Sequence, residues 1–288
     1  MNKIKIIADS TCDLSQEYIK AHDIEIIPLY VTYDGISLKD GIDITVSELY
    51  KKVEETGVLP KTSALSVGEI AKSFKKYIDE GYDIFFTGIS SSMSSTYQNA
   101  IIAAEEISKE RIVVYDSKNL STGTGLQILK AVKLRDEGKS IHEIEEYLTN
   151  HIKNNVRAQF LIEQMDYLHK GGRCSALVHF FGKMFHIKPI IRVVDGKMVV
   201  YKKPIGKTIN ACNALLDIIK SDIKSLDLDC VMITSTFAKE SEAYLYQELS
   251  KIVDPSIIMV TQAGCVISSH CGPGTIGILY ILKQTVLD

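Results

Sequence analysis

Residues 84–98 read Ile84-Phe85-Phe86-Thr87-Gly88-Ile89-Ser90-Ser91-Ser92-Met93-Ser94-Ser95-Thr96-Tyr97-Gln98. The apolar run from Ile84 to Thr87 has the length and composition of a buried strand, and a helix is expected to begin near Ser95. Six hydroxyl residues, Ser90, Ser91, Ser92, Ser94, Ser95 and Thr96, crowd the join. One hydroxyl is enough to cap a helix. The surplus leaves two accounts open: a solvated polar loop, or a ligand site at the carboxyl end of a parallel strand.

Working outward, short β-branched runs at Ile4 to Ala8, Ile24 to Thr32 and Ile112 to Tyr115 alternate with helical stretches. Such alternation predicts a parallel sheet flanked by helices. Three Ser/Thr-x-x-Glu capping boxes fix helix starts: Thr45 with Glu48, Ser66 with Glu69, and Ser140 with Glu143. Beyond Asn154 the pattern changes. Strands at Phe160 to Ile162, Ile190 to Val194 and Met198 to Tyr201 include a hairpin signalled by Asp195-Gly196. A helix around Ile209 to Ile223, a strand at Val231 to Ser235, a helix near Ser241 to Ile252, and strands at Ile257 to Thr261 and Ile276 to Leu282 follow. The expected fold class is α/β: an N-terminal parallel-sheet, Rossmann-like domain over 1–153 and a C-terminal mixed, partly antiparallel α/β domain over 154–288.

The 288 residues suit two ordinary domains, and a hydrophobic fraction of 45% fills their cores. With 33 basic against 36 acidic side chains, charge implies neither nucleic acid nor an anionic membrane as partner. The six cysteines form no Cys-x-x-Cys pair, which suits reduced thiols in a cytoplasm. Lys3 and Lys5 interrupt the first apolar residues, and no apolar run approaches the roughly 18 residues of a bilayer span. A soluble, cytoplasmic protein is expected, touching membrane at most transiently and without insertion.

Four other segments carry chemistry. Thr62-Ser63-Ala64-Leu65-Ser66 sets hydroxyls before a helix start, as an ordinary cap or as an anion holder. Ser121-Thr122-Gly123-Thr124-Gly125 favours close helix packing through its glycines. Tyr167-Leu168-His169-Lys170-Gly171-Gly172-Arg173-Cys174-Ser175 is a Gly-Gly turn between cations. His270-Cys271-Gly272-Pro273-Gly274-Thr275-Ile276-Gly277 contains Gly-x-Gly-x-x-Gly, yet it leads into a β-branched run near the chain end, so it is no dinucleotide fingerprint. Read as extended chain, His270 and Cys271 point to opposite faces and make no catalytic dyad. No Gly-x-Ser-x-Gly elbow, His-Glu-x-x-His helix or Walker loop occurs.

Taken in order, Asp9-Ser10-Thr11-Cys12-Asp13-Leu14, Thr62 to Ser66, Ser90 to Gln98, Tyr115-Asp116-Ser117, Tyr167 to Ser175, Lys188-Pro189-Ile190 and His270 to Gly277 resemble the DegV family over nearly the whole chain. The resemblance implies one long-chain fatty acid, its head between the two domains and its tail inside the second. It also implies a non-catalytic carrier like the lipid-binding subunit of bacterial fatty acid kinase, presenting the carboxylate to an ATP-dependent kinase subunit. Neither a metal nor a cofactor is implied. Two stretches depart from the family pattern: Ser95 stands where glycine is usual, and Pro204 to Lys207 where an arginine-rich stretch is common. A phosphotransfer enzyme and a small hydrolase on Ser94 and His270 are the competing functions.

Carried over by motif, the carboxylate partners are Thr62, Ser94 and His270, with Ser63, Ser95, Thr96, Arg173 and Gly272 in the surrounding head-group region. A carboxylate is acceptor-only and costly to bury unpaired, so converging hydroxyl, imidazole and amide donors suit it. Phe160, Ile162 and Leu168, then Phe180, Phe181, Met184 and Ile187, are candidates for lining the tail, with ordinary core as their bland alternative. Burying a sixteen-carbon tail gains about 10 kcal/mol before association costs. A membrane offers nearly the same gain, so selectivity must reside in the head group and the tunnel's shape.

Overall fold

The computed structural model describes residues 2–173 and 187–283. Along the N-terminal half run β1 (Ile4–Asp9), β2 (Glu25–Ile27), β3 (Tyr30–Tyr33), β4 (Ile36–Lys39), β5 (Lys61–Ser63), β6 (Asp83–Gly88) and β7 (Ile112–Asp116). The helices among them are α1 (Gln16–Ala21), α2 (Val46–Thr56), α3 (Val67–Asp79) and α4 (Thr96–Ile107), with α5 (Thr122–Asp136) and α6 (Ile141–Tyr147) after β7. The order β2-β1-β6-β7 forms a four-stranded sheet in which every pairing is parallel. All three capping boxes form in both directions, at Thr45, Ser66 and Ser140.

One expectation is corrected here. The run Ile24 to Thr32 is two strands in different sheets: β2 lies parallel to β1, whereas β3 pairs antiparallel with β4 and β5 in a three-stranded sheet. Pro28 sits at the break between them. Lacking an N–H, it cannot continue a ladder, and the chain leaves one sheet for another there.

The C-terminal half comprises β8 (Val156–Leu161), α7 (Met165–Lys170), β9 (Ile190–Val194), β10 (Lys197–Lys202), α8 (Thr208–Asp222), β11 (Leu226–Thr236), α9 (Lys239–Leu249), β12 (Ile258–Gln262), α10 (Cys265–Cys271) and β13 (Thr275–Leu282). Its sheet, ordered β10-β9-β8-β13-β11-β12, is antiparallel except for the β11–β12 pair. The Asp195-Gly196 turn closes the β9–β10 hairpin with both residues at positive φ.

A second correction concerns α10. His270 and Cys271 end a helix and are not extended chain. The segment Cys-Val-Ile-Ser-Ser-His-Cys is short, poor in strong helix formers and almost wholly buried, so no polar face betrays it. On a helix adjacent side chains still diverge, by about 100°, and the dyad remains broken.

The two large sheets share a core. One apolar cluster runs from Ile6 and Phe85 through Leu126 and Ile128 of α5 to Ala158, Ile191 and Met232. Helix α5 is therefore apolar-packed on both sides, and its glycines let it approach: a Cβ on Gly125 would come within 2.8 Å of the Cys12 carbonyl oxygen. This close seam brings loops from both halves together at the carboxyl ends of β1 and β6.

Candidate functional site

Three segments meet over a cavity of about 660 Å³: the end of β5 with Thr62 and Ser63, the hydroxyl-rich loop before α4 with Ser94 and Ser95, and α10 with His270. Arg173, following α7, also lines it. Thr62 is half-buried on β5, facing Val31 of β3 in register. Its Oγ1 lies 2.8 Å from Nε2 of His270. Ser94 is half-buried, and its Oγ accepts the Thr96 N–H at 3.2 Å. Helix α4 begins at Thr96 without a side-chain cap from Ser95, so the positive end of its dipole opens on the cavity where Tyr97 and Gln98 stand.

Burial pushes the His270 imidazole down to about 4, with the Arg173 charge adding to the effect, so the ring is neutral at physiological pH. Its Nδ1 is buried with no hydrogen-bond partner among the described residues. That nitrogen faces Gly171: a Cβ there would fall 2.3 Å from it. The two glycines of the turn thus do different work. Gly171 makes room for the imidazole, whereas Gly172 adopts φ +68 with open space around it.

The serine-rich loop divides its hydroxyls by role. Ser90 donates to the Gly196 carbonyl at 2.9 Å, pinning the β9–β10 hairpin tip against the loop. Ser91 donates to Asp116 at 2.5 Å, and buried Thr96 accepts the Leu65 N–H at 3.4 Å. Ser92, Ser94 and Ser95 line the cavity, and Ser91 lines it as well. Of the remaining head-group candidates, Thr96 supports Ser94 from beneath, Oγ1 to Oγ at 3.0 Å. Gly272 packs on the Tyr167 ring, where a Cβ would meet ring carbons at 2.8 Å.

A small apolar pocket of about 30 Å³ shares Leu120, Ile267 and Cys271 with the first cavity, so an acyl tail entering there has to displace side chains. Phe160 and Leu279 of the six-stranded sheet line its far side. Among the other tail candidates, Ile162 and Leu168 are fully buried in the shared core and line neither cavity. Ile187 forms a bridge with Ile205. Phe180, Phe181 and Met184 lie outside the described residues, as do Cys174 and Ser175.

Sequence inspection missed Leu120, Met198 and Ile267 as cavity walls, and it missed a group of buried carboxylates behind α10. Asp13 accepts the Gly264 N–H at 2.8 Å and the Ser121 hydroxyl at 2.5 Å. Asp40 accepts the Cys265 N–H at 2.7 Å and the Ser10 hydroxyl at 3.0 Å. Asp9 accepts the Ile89 N–H at 2.9 Å, with Gly88 leaving it room. Burial raises all three carboxyls, Asp9 to about 6. The aspartates at 9 and 13 were visible as a motif, but their partners across the fold, Ile89 for Asp9 and Ser121 and Gly264 for Asp13, stand 80, 108 and 251 positions away. Among the described residues, no group of three or more His, Cys, Asp or Glu is placed to hold a metal ion, and no helix is long and apolar enough to cross a membrane.

Comparison with known proteins gives a consistent family. The DegV family model, described as an uncharacterised protein of the DegV family, matches residues 3–283. A DegV domain-containing protein of Clostridium acetobutylicum is 36% identical over 284 residues, covering 98% of this chain and 100% of that one. A fatty acid-binding protein of Thermotoga maritima is 31% identical over 279 residues, covering 96% of each chain. A stearic acid-binding protein of Eubacterium ventriosum superposes with a TM-score of 0.86 at 27% identity, over 97% of this chain and 98% of its own. The chain belongs to the DegV family.

Proposed function

We propose that this chain binds a long-chain fatty acid, its carboxylate held by Thr62 and Ser94 beside His270. The tail passes Leu120, Ile267 and Cys271 towards Phe160 and Leu279. The observation that carries this reading is a cavity where the Thr62–His270 contact and the Ser94 hydroxyl meet apolar walls, beside a small apolar pocket with which it shares Leu120, Ile267 and Cys271. The stearic acid-binding relative supports the choice of ligand.

The tautomer of the neutral imidazole decides the hydrogen-bond order at Thr62. With Nε2–H donating to Thr62 Oγ1, the Thr62 hydroxyl proton is left for the carboxylate, and Ser94 supplies a second hydroxyl. Arg173, exposed at the rim, adds positive charge to the cavity and donates one N–H to the Gly171 carbonyl at 2.9 Å. Neutral donors hold the carboxylate without quenching its nucleophilicity, which suits presentation to an ATP-dependent kinase for acyl phosphate formation. The chain itself is then a carrier acting in the cytoplasm, divided near residue 153, with the carboxylate held between the two halves and the tail in the second.

The hydrolase alternative is weakened by His270 Nδ1, which no acid among the described residues orients as a catalytic base requires. Mass spectrometry of lipid extracted from the purified chain tests the main reading, and free long-chain fatty acid is the expected result. With ATP, acyl phosphate should form only when a kinase subunit is added. Ester cleavage or ATP turnover by the chain alone would overturn the carrier role.

A further inference from the structure

Helix α10 presents His270 from its last turn, yet it has no side-chain cap of its own, and its N-cap is Gly264. Its opening amides are held instead by two carboxylates from the other half of the chain. Asp13 takes the Gly264 N–H at 2.8 Å, and Asp40 takes the Cys265 N–H at 2.7 Å with a longer contact to the Val266 N–H at 3.4 Å. Both acids are themselves fixed. Asp13 receives the Ser121 hydroxyl from the start of α5, and Asp40 receives the Ser10 hydroxyl, whose oxygen accepts the Leu29 N–H at 3.1 Å.

Two carboxylates buried to 6% and 4% exposure are an expensive way to steady a seven-residue helix. Burial is the main cause that raises both, and the Asp40 charge raises Asp13 further. Packing alone would hold the helix more cheaply, since Cys265, Val266 and Ile267 are buried apolar residues. What the acids add is direction and register: an aimed hydrogen bond at each opening amide fixes rotation about the helix axis, and with it the position of the His270 ring relative to Thr62.

Resting on the fatty-acid reading above, we infer that Asp13 and Asp40 are positioning residues for the head-group site, clamping α10 so that His270 meets Thr62. Neither touches the ligand. Asp40 bonds no residue that lines the apolar cavity, whereas Asp13's partner Ser121 lines it and α10 itself supplies Ile267 and Cys271 there, so a head-group role requires the acid to lose more affinity than the alcohol.

The test is equilibrium binding of hexadecanoate and of hexadecanol to delipidated wild type, Asp40→Asn and Gly264→Ala. Asp40→Asn removes the acceptor charge at the helix start. Gly264→Ala keeps both acids but sets a Cβ 3.0 to 3.4 Å from their oxygens, at a backbone φ of −69 that alanine adopts freely. The alanine variant carries the test if the asparagine variant does not fold. In each variant the preference for acid over alcohol should fall by about tenfold or more, with alcohol binding within about twofold of wild type. A wild-type preference that survives in both variants, or equal loss of both ligands, overturns the positioning role alone. A wild type that binds acid and alcohol equally overturns the head-group reading and this inference with it.

Discussion

Thr62 and His270, 208 positions apart, stand with Oγ1 and Nε2 at 2.8 Å, one on a short strand of the N-terminal half and the other on a helix inserted between strands of the C-terminal sheet. The contact exists only because the two halves close on each other, so any group bound there reports on both.

Removing either hydroxyl tests the head-group site first. Thr62→Ala and Ser94→Ala each delete one donor to a buried carboxylate, worth about 1.5 to 3 kcal/mol, or roughly tenfold to a hundredfold in affinity. Thr62 lies outside the apolar core and caps no helix, so Thr62→Ala should barely move the melting temperature of the lipid-free protein. Ser94→Ala also removes the acceptor of the Thr96 N–H that opens α4 and should cost about 1 kcal/mol of stability. Titration with a fluorescent fatty acid and a thermal melt check both halves of this statement.

The Gly-Gly turn offers a paired prediction. Gly171→Ala places a methyl 2.3 Å from the imidazole Nδ1 and should weaken fatty acid binding by displacing the ring. Gly172→Ala meets no atom within 4 Å but forces a side chain to φ +68, which should cost about 1 kcal/mol of stability and leave affinity intact. Denaturant melts beside binding curves separate the two effects.

Protonation of His270 gives a pH signature. Its folded value lies near 4 against an ordinary 6.5, so between those limits the unfolded chain takes up a proton that the folded chain refuses. The neutral ring's contribution is intact above pH 6.5 and is lost as pH falls towards 4. Relative to His270→Gln, wild type should therefore lose stability across that window. Carbon-13 and nitrogen-15 spectra of the ring should show it neutral at pH 5.5.

Tail length should answer to the small apolar pocket. Leu279 is buried on its far wall, and Leu279→Phe adds bulk there at an overpacking cost of about 1 to 3 kcal/mol. The lipid carried by this variant should shift towards shorter chains by mass spectrometry, while the acid-over-alcohol preference stays that of wild type.

The parts of this arrangement legible in the sequence were those written locally. Capping boxes at Thr45, Ser66 and Ser140 depend on residues three apart and formed as written, and the Asp195-Gly196 hairpin needs only its own turn. Pro28 announced a break that the apolar run around it concealed. Helix α10 left no trace because burial on all sides erases the polar face that periodicity relies on. The division of the serine loop was equally hidden: Ser90 answers to Gly196 and Ser91 to Asp116, and only those distant partners show which hydroxyls are tied down.

A crystal structure of the chain with the lipid it carries from expression is the most direct measurement. It should show one long-chain fatty acid with its carboxylate within hydrogen-bond distance of the Thr62 and Ser94 hydroxyls and its tail passing between Ile267 and Leu120 towards Phe160. A carboxylate seated elsewhere, or a tail lying away from Leu120, Ile267 and Cys271, would contradict it.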